Sequence, residues 1–315
     1  MKKTFPVLTV LSLIVLCLFS SCHKSEYNPK KKISKIYESG SKTVWLTSDD
    51  ATIYDTYPKS LKERWTWDGN KLIQMDLEGD VFYFFYDKNR LDKIEMGSIV
   101  AQIEYEGKYV KKIVGKDQDE LLYEMEVLAR DKHRITKAKY TYYYESYIKN
   151  ATNLTALDRK MNFLNSMISS SFLADIMRTE TTAIRKMKGE KAIQNETYTI
   201  DYTYSGNNVT QISLVHSDRK YTETKNIVLQ YDNKKNPYYM NPERYYSEIN
   251  DFFAFGLMES ENNITSIKGI NTMTPTIYTY EYDGEWPTKR IYKETWQGEE
   301  YGSITEDIRY FEYTK

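Results

Sequence analysis

The sequence predicts a mainly β protein, a curved antiparallel meander of repeated hairpins with one helical insertion at about 154–177. Three observations carry this. A short phrase recurs along the chain, its strands alternate aromatic and polar residues with period two, and one segment alone switches to helical spacing.

The phrase is an aromatic residue, turn residues, then one aliphatic residue five positions on and another eight positions on. Trp67, Leu72 and Met75 fit it, as do Tyr86, Leu91 and Ile94, Tyr105, Val110 and Ile113, and Tyr204, Val209 and Ile212. The first three copies start 19 residues apart, which suggests hairpins laid side by side. Weaker copies begin at Arg130, Glu259 and Tyr282, the last with Pro287 in place of the first aliphatic residue and Ile291, one position late, as the second. In "WDGN", "YEGK", "YSGN" and "YDGE" a glycine follows a short polar or acidic residue, where a hairpin turn needs positive φ. A three-residue step does not keep one face of a regular strand, so the first aliphatic residue is expected at a bulge or turn exit.

Strands lead into these turns. Tyr198, Ile200, Tyr202 and Tyr204 alternate with Thr199, Asp201 and Thr203, and Tyr278, Tyr280 and Tyr282 alternate with Thr279 and Glu281. Such alternation describes a sheet with one apolar and one wet face. "VFYFFYD" at 81–87 is aromatic on both faces and reads as a central strand covered on both sides. Thirty tyrosines invite a stacking role, but Tyr and Thr suit a half-wet sheet, and cross-strand packing accounts for most of the rings.

Helical spacing appears once. Leu154, Leu157, Met161, Leu164 and Ile168 fall on one face, Asn153 or Thr155 can cap the start, and the stripe is expected to cover the sheet. It separates hairpin sets at 34–150 and 191–315 within a single repeat-built domain, 34–315.

The first 22 residues stand apart. Lys2 and Lys3 precede a mostly apolar run, Leu8–Phe19, that is too short to span a bilayer, and small Ser20 and Ser21 lead into Cys22. The segment "LFSSC" resembles the lipobox of bacterial lipoproteins, with Phe19 where Leu is usual. The resemblance implies a signal peptide at 1–21, acylation of Cys22 and anchoring at the outer membrane, periplasmic or surface side unspecified. Residues 22–33, polar and ending in Lys30, Lys31 and Lys32, read as a tether. Both cysteines lie in this region, so disulfide frameworks, Cys-rich zinc sites and thiol nucleophiles are excluded from the body. Charges nearly balance, and nucleic acid is not an expected partner.

The phrases "YDKNRLDKI", "YSGNNVTQI", "LQYDNKKNPYY" and "YTYEYDGEWPTKR" resemble those of Bacteroides-type lipoproteins of unknown function with a porin-like β domain, and more remotely tyrosine-aspartate repeats. The resemblance implies a curved antiparallel sheet and brings no activity with it. A membrane-spanning barrel is not expected, because strands such as "IEYEGKYVKKI" place charges on any lipid face.

The search for chemistry yields neither catalytic residues, nor metal ligands, nor a cofactor motif. His133 and His216 lack a ligand partner at motif spacing, "SGSK" and "SYIK" lack the companion motifs of penicillin-recognising enzymes, and Asp117 and Asp119 read as surface turn acids. The most unusual stretch is 236–258, where two Asn-Pro steps are followed by Tyr245, Tyr246, Phe252, Phe253 and Phe255. These five are the candidate ligand-binding residues; the alternative is a connection that folds back and plugs one end of the sheet. The expected function is a non-catalytic envelope module, binding or structural, for a glycan or an envelope protein. The alternative is a polysaccharide-processing hydrolase using a carboxylate pair that the sequence does not single out.

Overall fold

The computed structural model describes residues 29–46, 52–143, 196–217, 222–242, 256, 258–269, 275–297 and 301–314. Cys22, the segment expected to be helical at 154–177 and the five candidate aromatics of 245–255 lie outside them. The first hairpin set forms β1 (Ile33–Leu46), β2 (Thr52–Asp68), β3 (Lys71–Leu77), β4 (Asp80–Asp87), β5 (Arg90–Met96), β6 (Ile99–Glu106), β7 (Tyr109–Asp117), β8 (Glu120–Asp131) and β9 (Arg134–Tyr142). The second forms β10 (Glu196–Ser205), β11 (Asn208–Ser217), β12 (Thr222–Lys235), β13 (Asn262–Gly269), β14 (Thr276–Asp283), β15 (Trp286–Gln297) and β16 (Tyr301–Tyr313).

Each strand pairs antiparallel with its neighbours in sequence, and β1 pairs with β16 from Ile33↔Tyr313 to Leu46↔Tyr301. The curved sheet therefore closes into a barrel of sixteen described strands, which leaves no free edge. One rim carries the turns that follow the even-numbered strands, together with the start of β1 and the end of β16; the opposite rim carries the remaining turns.

The repeat phrase has a geometric cause. Trp67 pairs with Leu72 while Thr66 pairs with Gln74, leaving Ile73 as an extra residue; Tyr86, Tyr105 and Tyr204 show the same register shift. One inserted residue lets positions five and eight both face inward. Gly69, Gly107, Gly206 and Gly284 hold positive φ, and Lys88 and Lys132 adopt the same conformation at the matching turn position.

The bulge interrupts the ladder beside the first aliphatic residue, and the next hairpin's ring takes up that carbonyl. Tyr86 Oη donates to the Leu72 carbonyl at 2.9 Å, Tyr105 to Leu91 at 2.7 Å, Tyr204 to Ile135 at 3.0 Å and Tyr313 to Pro287 at 2.7 Å. Tyr231 and Tyr280 do the same toward Val209 and Ile264, at 2.5 and 2.8 Å. Arg130 serves the Val110 carbonyl in the same way and the Trp67 indole N–H that of Ile33, so the repeat needs a hydrogen-bond donor at this place, which explains tyrosine over phenylalanine.

The inward face is a single apolar cluster with members from every described strand. It is the lumen, because Tyr238, from the connection after β12, packs against Trp65 of β2 and Phe311 of β16, at ring separations of 5.8 and 6.2 Å. The outward face is charged. Lys112 pairs with Glu124 at 2.6 Å, Lys137 with Asp201 at 3.1 Å and Lys293 with Glu306 at 3.0 Å, and Lys93 pairs with Glu95 along one strand. Polarity is thus reversed relative to a lipid-facing barrel, whose outer band must be apolar.

Three readings need correction. In β4, Phe82 and Phe84 are buried, but Tyr83 is 45% and Phe85 39% exposed, so the strand is covered on one face only; Lys93 lies over the Phe85 ring at 4.5 Å and shields it in part. In the last copy of the phrase Tyr282 pairs with Pro287 across the usual shift, so Arg290, not Ile291, takes the second inward position. Asp117 is buried at the end of β7, whereas Asp119 is exposed as expected.

Candidate functional site

The lumen is not uniformly apolar. On β16 the alternation that buries Phe311 also buries Arg309, which is 1% exposed. Its Nε donates to Glu38 of β1 at 3.2 Å, and its Nη1 to Glu63 of β2 at 2.9 Å and to the Tyr238 hydroxyl at 3.1 Å. The other oxygen of Glu63 accepts the Trp65 indole N–H at 2.9 Å. Burial pushes the Glu63 carboxyl up and the Arg309 charge pulls it part of the way back. For Arg309 burial acts downward, but Tyr238, Glu63 and Glu38 outweigh it, and the guanidinium stays charged. Asp307 is raised to about 6, by burial first and then by Glu38.

Arg290 lies directly opposite Arg309 on β15, is 5% exposed, and sits 5.4 Å over the Tyr278 ring. It lines a cavity together with Tyr238, Phe311, Tyr278, Tyr280 and Asn236. This cavity lies beside the described ends of the 236–261 connection. Tyr238, Asn241, Met258 and Ser260 of that connection are buried, and Ser260 Oγ accepts the Val209 N–H at 3.0 Å. The described ends of the connection thus enter the lumen; the five candidate aromatics between them lie outside the described residues.

Sequence reasoning missed Arg290, Arg309, Glu38 and Glu63. The available signal was a charge at an inward position of an alternating strand, which can be read only once the register is known. Among the described residues no group of three or more His, Cys, Asp and Glu side chains converges, and His133 is exposed in the β8–β9 turn. No described helix is long and apolar enough to cross a membrane, which says nothing of strands.

The second feature is the rim where the chain enters the barrel. There a cation lies over an aromatic ring at one hairpin after another: Lys32 over Trp67 at 5.7 Å, Lys71 over Tyr86 at 5.4 Å, Arg90 over Tyr105 at 4.3 Å, Arg134 over Tyr204 at 5.4 Å and Lys234 over Tyr282 at 5.8 Å. Lys108 and Arg130 flank Tyr109, and Lys31 lies over Tyr313 while pairing with Asp283 at 2.7 Å.

Fold and site together define a closed antiparallel barrel with a packed, partly ionic lumen and a charged wall. Among solved structures it is similar to a porin-like protein from Bacteroides uniformis, at 11% identity over 91% of this chain and 99% of that one, with a TM-score of 0.44. It is also similar to a porin-like protein from Bacteroides vulgatus, at 10% identity over 90% and 99% of the two chains, with a TM-score of 0.46. Likeness at this distance carries nothing about lipid attachment, ligand or activity. No protein-family model matches the chain, and no curated protein matches it.

Proposed function

We propose that this chain is a cell-envelope lipoprotein, held at the outer membrane by acylated Cys22, whose barrel serves as a non-catalytic binding or structural module. The observation that carries the reading is the reversed polarity: ion pairs on the wall and an apolar cluster in the lumen suit a barrel that stands in water and is attached to a membrane rather than threaded through it. The hydrolase alternative gains no support from the lumen. Glu38 and Glu63 are drawn together there, but both are bonded to Arg309, and Glu63 is 2% exposed.

A glycan or an envelope protein is the ligand class the reading allows, gripped by Tyr245, Tyr246, Phe252, Phe253 and Phe255. The test pairs a glycan array and an envelope-protein pulldown with thermal melts of the Tyr245→Ala, Tyr246→Ala double variant. Loss of a captured ligand with an unchanged melting midpoint supports the binding module. Loss of stability with no ligand captured by either protein leaves the structural module.

A further inference from the structure

The described turns of the two rims differ in charge, and the tether enters at only one rim. The three described turns of the far rim, 77–80, 96–99 and 117–120, hold Glu78, Asp80, Asp117, Asp119 and Glu120 and no lysine or arginine, although Lys62 of β2 pairs with Glu78. At the near rim the acids of the described hairpin turns are matched by lysines and arginines, and Lys30, Lys31, Lys32, Lys234 and Lys235 are added where the chain enters and where β12 ends. Glu261 offsets one of these through its 2.5 Å pair with Lys235, and Asp283 another through Lys31. Among the described residues the near rim keeps a small cationic excess, with Glu259 and Glu312 also set against it, although the chain as a whole carries a formal net charge of −1.

We propose that this rim is a membrane-docking face that rests on an anionic phospholipid surface. Two further observations fit that partner. The cations stand over Trp and Tyr rings, the pairing of basic and aromatic side chains that suits the headgroup layer of a bilayer. The chain enters β1 at Ile33 in this rim, with Thr314 N donating to the Lys32 carbonyl at 2.8 Å, so ten residues separate Cys22 from the barrel wall. Fully extended they span at most about 35 to 40 Å. The end at which the tether enters is thus the one where the described turns and chain ends carry more cations than acids. Placing the rim beside a bilayer rests on the reading of Cys22 as the anchor; the affinity of the rim for anionic lipid does not.

The two are separated by working with the full chain carrying Cys22→Ala. Its co-sedimentation is compared on vesicles of phosphatidylcholine alone and of phosphatidylcholine with phosphatidylglycerol. The expected result is at least tenfold stronger binding to the anionic vesicles at low salt, falling at least tenfold near about 0.5 M salt, where exposed charges are screened within a few ångströms. Adding Lys30→Glu, Arg90→Glu and Lys108→Glu should abolish the preference. The equal charge change on the wall, Lys116→Glu, Lys268→Glu and Lys293→Glu, should leave most of it, with melting midpoints confirming that both variants fold. Equal binding to both vesicles, or equal loss from rim and wall variants, overturns the proposal. Absence of fatty-acid label on the wild-type chain overturns the anchor and leaves the vesicle result to be read by itself.

Discussion

Tyr105 shows at the scale of one residue what the repeat requires. Its ring packs against the lumen cluster and its hydroxyl serves the Leu91 carbonyl across the bulge. Tyr105→Phe keeps the ring and strands the carbonyl, and should cost about 1 to 2 kcal/mol in denaturant melts, whereas Tyr83→Phe on the wet face should be neutral within about 0.5 kcal/mol. Asp307 makes a prediction in pH. Its folded value of about 6 lies above the value near 3.9 expected unfolded, so the folded chain holds the proton more tightly. Its contribution to stability is fully present below about pH 4 and is lost as pH rises through about 6. Asp307→Asn should therefore raise stability at pH 7 by about 1 to 2 kcal/mol, change it little at pH 4 and flatten the melting profile between the two. A parallel loss of stability at both values would show that the carboxylate is instead required.

Elements were legible where chemistry repeats. The glycine turns and the bulge beside the first aliphatic residue were readable because a turn needs positive φ and a three-residue step needs an extra residue; both are found at Trp67, Tyr105 and Tyr204, and at Tyr86 the bulge is found with Lys88 in the glycine's place. What stayed hidden depends on register. In "EDIRYFEY" either alternating set can face inward, and only pairing with β1 and β15 turns Arg309 and Phe311 into the lumen. Arg290 was passed over because the adjacent Ile291 looked like the expected aliphatic residue, and "VFYFFYD" looked buried because composition cannot tell which face is covered. Facing glycine and aromatic positions were also invisible. Gly115 of β7 pairs with Tyr123 of β8, whose ring lies 2.0 Å from where a Cβ would stand. Gly115→Ala should cost about 1 to 3 kcal/mol through this overlap. In combination with Tyr123→Leu the loss should be less than additive, and strict additivity would refute the contact.

Closure is a property of the whole molecule. Sixteen described strands in sequence order bring β1 against β16, so every strand has two neighbours and the apolar face is turned inward. A barrel of this size can hold an aqueous channel, but here Tyr123, Tyr140, Tyr142, Tyr292 and Phe82 are fully buried and Tyr238 reaches in from the connection after β12. No phrase of the sequence announces closure, because it follows from the summed twist and length of all the hairpins rather than from any one. Reversed polarity, by contrast, was visible in the charges of "IEYEGKYVKKI", which the structure places on the wall as Glu104 and Lys112. The central claim is that this wall belongs in water. It is tested most directly by purifying the full chain with Cys22→Ala in detergent-free buffer and following sedimentation and circular dichroism together. The account predicts a soluble protein with a β spectrum and one cooperative melt; a chain that stays folded only when detergent or bilayer is supplied would contradict it.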